Sequence, residues 1–67
     1  DLRRLFEVRE IIARIVDAFE RHYLTGLMRQ SQGNVTHAAL SAQKERREFG
    51  KLLKKHGINP RDFARGA

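Results

Sequence analysis

Residues 33–58 read GNVTHAALSAQKERREFGKLLKKHGI, and their punctuation predicts two short helices joined by a tight turn. Gly33 suits the left-handed conformation that ends a preceding helix, and Asn34 is a strong N-cap for the next one. A first helix is expected over about Val35–Ala42. A second runs from Lys44 or Glu45 to His56, where Gly57 stops it. Ala38, Ala39 and Ala42 are small enough to let the two approach closely, and Phe49 and Leu52 are placed to fill the contact. At about 100° per residue, Glu45, Phe49, Leu52, Leu53 and His56 fall on one side of the second helix. Arg47, Lys51 and Lys54 fall on the other, flanked by Lys44 and Lys55, with Arg46 nearer the buried boundary. One face can pack while the other meets phosphate and base edges, as a helix entering the major groove of DNA must.

Upstream, residues from about Leu2 to Ser31 form a long helical stretch without proline. Leu5, Val8, Ile12, Ile15 and Phe19 recur at the alternating three-and-four spacing of a helix seam. Ile11, Val16, Tyr23, Leu24, Leu27 and Met28 widen that seam into a face able to touch more than one partner. Glu10 with Arg14 and Asp17 with Arg21 are acid-before-base pairs four residues apart, each contributing a few tenths of a kcal/mol. Whether the stretch is one helix, or two with a break within residues 7–13, stays open. Downstream, Asn59-Pro60 marks a turn, Arg61–Ala64 suits one further helical turn, and Arg65 to Ala67 read as frayed. The division expected is 1–31 for dimerisation helices, 32–59 for the two-helix motif and 60–67 for a C-terminal tail.

Composition sets the limits within which this motif works. Sixty-seven residues make at most one small domain, whose core as a monomer is marginal. Without cysteine, neither disulfides nor a thiolate zinc site can reinforce it. Burial against a second copy is the expected remedy. No apolar run approaches the roughly 18 residues needed to span a membrane, and no signal-peptide pattern opens the chain; the expectation is a cytoplasmic protein. Residues 1–31 carry six arginines against five acidic residues, whereas residues 32–67 carry eight Lys and Arg against Glu45, Glu48 and Asp62. Nearly all of the net charge of +6 therefore lies on the two-helix motif, where it would attract a polyanion and release its counterions.

Three groups of residues carry a family resemblance: Phe19-Glu20-Arg21 with Tyr23-Leu24, then Gly33-Asn34-Val35-Thr36-His37-Ala38-Ala39, then Lys51-Leu52-Leu53 with His56-Gly57-Ile58. Together they resemble the helix-turn-helix of the factor for inversion stimulation, Fis. They look still more like the C-terminal domains of sigma-54-dependent transcription activators of the NtrC type. The resemblance covers about residues 19 to 59 well and residues 1 to 18 loosely. The Asn34–Ala39 segment and Asn59-Pro60-Arg61-Asp62-Phe63 are most similar to the GlrR (QseF) response-regulator subgroup.

The resemblance implies a symmetric homodimer, held by the N-terminal helices through Leu5, Val8, Ile12, Ile15 and Phe19. Its partner would be double-stranded DNA carrying a palindromic, enhancer-like site, bound in the bacterial nucleoid. Asn34 and Thr36 match positions that contact backbone phosphate, with Lys44 and Lys54 beside them. Arg46, Arg47 and Lys51 match the groove-facing stretch, and an arginine offered to a guanine is the commonest direct-readout contact. Glu48 either accepts from a cytosine amino group or pairs with Lys51. In the parent proteins an ATPase domain comes first. This chain has no phosphate-binding Gly-x-x-x-x-Gly-Lys-Ser/Thr loop and opens with Asp rather than Met, which fits a C-terminal fragment of a larger activator.

The sequence departs from the family at two places. The turn between the helices usually carries glycine and an aliphatic residue; here it is Gln43-Lys44. Gln43 has to take a conformation that glycine takes more cheaply, so either the turn is rearranged or the domain is less stable than its relatives. Gly50, within the second helix, costs about 1 kcal/mol relative to alanine. It permits close approach to the DNA backbone but removes a side chain that relatives use there.

The fold class expected is all-α: a small helical domain with one or more N-terminal dimerisation helices followed by a helix-turn-helix. His22, His37 and His56 have no metal-ligand spacing, and no cofactor or small-molecule site is read. Thr36 and Ser41 lack any base and oxyanion partner, so no enzyme is expected. Two other functions share these features: an architectural, DNA-bending protein like Fis, and a helical module that docks on other proteins.

Overall fold

A computed structural model describes residues 1–64, and they are all-helical, with no strand among them. The first helix, α1 (Leu2–Gln30), is a single rod of 29 residues. The Asp1 side chain caps it by accepting from the Arg3 amide at 3.1 Å. No break interrupts residues 7–13, because nothing in that stretch lacks an amide proton or favours a turn. Two shorter helices follow, α2 (Val35–Ser41) and α3 (Arg46–Lys55), and then a single 3-10 turn over Pro60–Phe63. That last turn starts one residue earlier than expected. Pro60 takes the first helical position, where its missing amide is not needed, and the Asn59 side chain accepts from the Arg61 amide at 3.0 Å. The fraying expected of Arg65–Ala67 lies outside the described residues.

All three α-helices end in the same way. Beyond α1, Gly33 donates to the Met28 carbonyl (3.0 Å) and Gln32 to that of Arg29 (3.2 Å). Beyond α2, Lys44 donates to Ala39 and Gln43 to Leu40, both at 3.0 Å. Beyond α3, Ile58 donates to Leu53 (2.9 Å) and Gly57 to Lys54 (3.1 Å). Each is a Schellman closure, which needs one left-handed residue just past the cap. Gly57 supplies it at φ 66°, but Gln32 (φ 54°) and Gln43 (φ 57°) supply the other two. The Gln43-Lys44 turn is therefore the ordinary closure carried by a costlier residue, not a rearrangement.

Gly33 has a different task from the one its position suggests. The left-handed residue that closes α1 is Gln32, and Gly33 follows it at φ 85°. The chain of the 3-10 turn crosses directly over Gly33. A Cβ there would lie 2.6 Å from the Pro60 carbonyl oxygen and 3.1 Å from the Ala64 nitrogen. Residues 60–64 are thus a strap over the α1–α2 junction.

The core lies wholly at one end of the molecule. Leu24 and Met28 of α1, Ala38 and Ala39 of α2, and Phe49 and Leu53 of α3 are its buried members. Leu27, Val35, Ala42, Leu52, Ile58 and Phe63 pack round its edge. The alanines let α3 come close, and Phe49, with no exposed surface, fills the gap they leave. Glu45, placed on the packing side by helical angle, is exposed because it stands before the first turn of α3 as its N-cap. The widened face of α1 splits at Tyr23: Leu24, Leu27 and Met28 join the core, while Ile11, Val16 and Tyr23 stay exposed. From Leu2 to Phe19 no residue of α1 is fully buried, and this stretch carries the rod out along the 52 Å length of the molecule.

Candidate nucleic-acid interface

The outward side of α3 follows from the inward one. Phe49, Leu53 and His56 are buried, so residues half a turn away face solvent: Arg47, Lys51, Lys54 and, on the flank nearer α2, Arg46 are all exposed. These four, with Gly50 and Val35 of α2, line an open hollow of about 360 Å³. None of the four cations has an acidic partner within 4 Å among the described residues; the ion pairs present involve Lys55 and His56. Glu48 is exposed and makes no ion pair with Lys51. The helix thus presents uncompensated positive charge beside a gap, geometry suited to an extended anion.

The expected phosphate-contacting residues divide. Asn34 and Thr36 are exposed at the start of α2, next to Val35. The Asn34 side-chain oxygen is occupied in accepting the His37 amide at 3.0 Å, which leaves its amide group as the available donor. Lys54 borders the hollow. Lys44 does not: it lines a separate apolar groove of about 210 Å³ together with Val16, Phe19, Tyr23 and Leu52. The Phe19 and Tyr23 rings lie parallel on the wall of that groove, 6.5 Å apart. Leu5, Val8, Ile12, Ile15 and Phe19 are all exposed on the free part of α1, from 46% at Val8 to 71% at Phe19. A larger hollow, about 690 Å³, runs along α1 from Asp17 to Arg29, but that single helix supplies its whole lining.

One link between α1 and α3 has no local trace in the sequence. His56, the C-cap of α3, is buried, and its Nε2 lies 2.6 Å from Glu20 Oε1. With the carboxylate accepting, that nitrogen carries the proton. Asp17 stands 3.7 Å from Nδ1, and Lys55 reaches the same Glu20 oxygen at 3.5 Å. The end of α3 is thereby tied to the middle of α1. Helical angle marks His56 as inward-facing, yet its partner is 36 residues away.

The hydrogen bond from His56 holds the Glu20 carboxyl below its ordinary value of 4.5; burial opposes this, and the charge of Lys55 assists. A carboxyl with a depressed folded pKa adds stability above its unfolded value, and that contribution disappears as pH falls through the folded one. Denaturant unfolding should therefore show the domain weakening as pH drops below about 4.5. Glu20→Gln, still able to accept from His56, should flatten that part of the profile. An unchanged acid limb in this variant would place the sensitivity at another group.

Comparisons with known proteins add relationship by descent. No family model matches the sequence, and no solved structure matches it. Over 45 residues, 67% of this chain, it is 49% identical to the transcriptional regulatory protein GlrR of Escherichia coli strain K12. The same figures hold for the transcriptional regulatory protein QseF of Escherichia coli O157:H7. The match spans 10% of the length of each. The chain is thus homologous to one part of a bacterial transcriptional regulator. No described helix is long and apolar enough to cross a membrane.

Proposed function

We propose that this chain is a sequence-specific DNA-binding domain that acts as a homodimer on a palindromic, enhancer-like site, as the DNA-binding part of a Fis-type, sigma-54-dependent transcription activator in the bacterial cytoplasm. The observation that carries the reading is the two-sided α3: one face is sealed in the core, and the other offers Arg46, Arg47, Lys51 and Lys54 with no acidic partner within 4 Å among the described residues. Homology to the two regulators supports the same reading. Residues 1–31 supply the pairing surface and residues 32–59 the DNA-contacting unit, with the strap after them. In the complex α3 enters the major groove. Arg47 and Lys51 point to base edges with Arg46 beside them, and Asn34, Thr36 and Lys54 hold the backbone. Lys44, on the rim of the apolar groove, contributes at longer range.

The test is a salt titration of binding to random duplex DNA and to duplexes selected from a randomised pool. A steep fall with salt, together with a selected palindrome of two half-sites about one helical turn apart, is the expected result. Steep salt dependence without selection would make the protein an architectural DNA-bender. No binding at low salt would leave the protein-docking function. Arg47→Ala should weaken binding to the selected site by about 1–3 kcal/mol and relax base preference at one position per half-site. An equal loss on every sequence would make Arg47 a phosphate contact.

A further inference from the structure

Gly50 is one of the residues that line the hollow beside α3. A Cβ at Gly50 would meet no atom within 4 Å, so the fold does not require glycine there, and glycine is a poor choice inside a helix. Arg46, Gly50 and Lys54 follow one another at intervals of four and therefore lie in one row along the helix. The two cations bracket a gap at the middle of that row. Val35 of α2 walls it, Arg47 and Lys51 border it, and no acidic side chain lines it. An apolar wall between Arg46 and Lys54, neither of which has an acidic partner within 4 Å among the described residues, suits a deoxyribose with its phosphate. The sugar can rest on Val35, and the phosphate oxygens can accept from guanidinium and ammonium groups. Between Arg46 and Lys54 a base edge fits less well, since its neutral acceptors would leave both of those charges unanswered.

Resting on the function proposed above, we infer that the Gly50 hollow seats one sugar–phosphate unit of the DNA backbone in each half-site. Arg46 then serves the backbone, and the reading of bases falls to Arg47 and Lys51. Glycine gives up helix stability at this position and in return opens a place for the backbone to settle between Arg46 and Lys54.

The experiment compares the unaltered chain with Gly50→Ala and Gly50→Leu on a selected duplex whose phosphates are replaced one at a time by neutral methylphosphonates. Gly50→Ala should fold with a raised thermal midpoint, since the space for its methyl is open, and Gly50→Leu should fold as well, its side chain entering an open hollow and leucine favouring helix. Gly50→Leu should bind the unmodified duplex about tenfold more weakly, to the same degree on selected and random sequence, through loss of charge-assisted hydrogen bonds. Neutralising one particular phosphate per half-site should weaken the unaltered chain by a similar factor and leave Gly50→Leu unchanged, with Gly50→Ala between. A scan in which no phosphate distinguishes the chain from Gly50→Leu removes the seat while DNA binding stands. Loss of sequence discrimination in Gly50→Leu would show that the hollow holds a base edge and overturn the assignment. An unaltered chain that binds no duplex at low salt removes both readings.

Discussion

Gly33→Ala should cost about 2–5 kcal/mol, enough to unfold a large fraction of so small a domain. Two terms add. A Cβ in the left-handed region costs about 1–2 kcal/mol, and Gly33 sits at φ 85°. The added methyl would also lie 2.6 Å from the Pro60 oxygen and 3.1 Å from the Ala64 nitrogen. Both obstacles are backbone and cannot swing aside, so the strap must lift away from the junction, at a further cost of about 1–3 kcal/mol for overpacking. Gly57→Ala isolates the first term: it also has positive φ (66°), but nothing lies within 4 Å of its Cβ. Urea unfolding of the two variants should put Gly33→Ala well below Gly57→Ala. Equal losses would mean that the crossing of residues 60–64 contributes nothing.

The second large effect concerns association. Ile15 is 63% exposed in the single chain, so Ile15→Asp should barely disturb the core around Phe49, Leu24 and Met28. If the exposed row from Leu5 to Phe19 is where two copies meet, the same substitution buries a charge without a partner, which costs several kcal/mol. Sedimentation should move from dimer to monomer while the thermal transition of the core persists. Affinity for a two-half-site duplex should fall by roughly 10²-fold or more, because the second half-site is no longer engaged from the same molecule. An unchanged dimer would move the interface elsewhere on the chain.

Much of the fold is legible in the sequence because its signals are local. The angular spread of Phe49, Leu53 and His56 against Arg47, Lys51 and Lys54 comes from helical period alone, and burial follows it. At Gln43 the sequence leaves two outcomes open, a rearranged turn or a residue that takes the left-handed conformation at a cost, and the structure shows the second. The gaps in the reading are non-local. Gly33 looks like a helix terminator because helix ends favour glycine, but its role depends on a strap 27 residues later. His56 finds Glu20 only once α3 lies across α1. The hollow at Gly50 needs Val35 of another helix to give it a wall. The continuity of α1 was open because its first part buries nothing in the single chain, so its hydrophobic pattern records a surface and not a bend.

The tie from His56 to Glu20 has a geometric consequence for any pair of copies joined along α1. In such a pair α3 would be fastened to the rod that joins the copies, so the two α3 helices would stand at a set distance and angle. DNA turns once in about 10–10.5 base pairs, so a single inserted pair swings the second half-site by roughly 35° around the duplex axis. A hinged protein would follow that swing; one built this way would not. A dimer that binds DNA as proposed would gauge phase as well as letters, rejecting a site whose half-sites are correct but out of step.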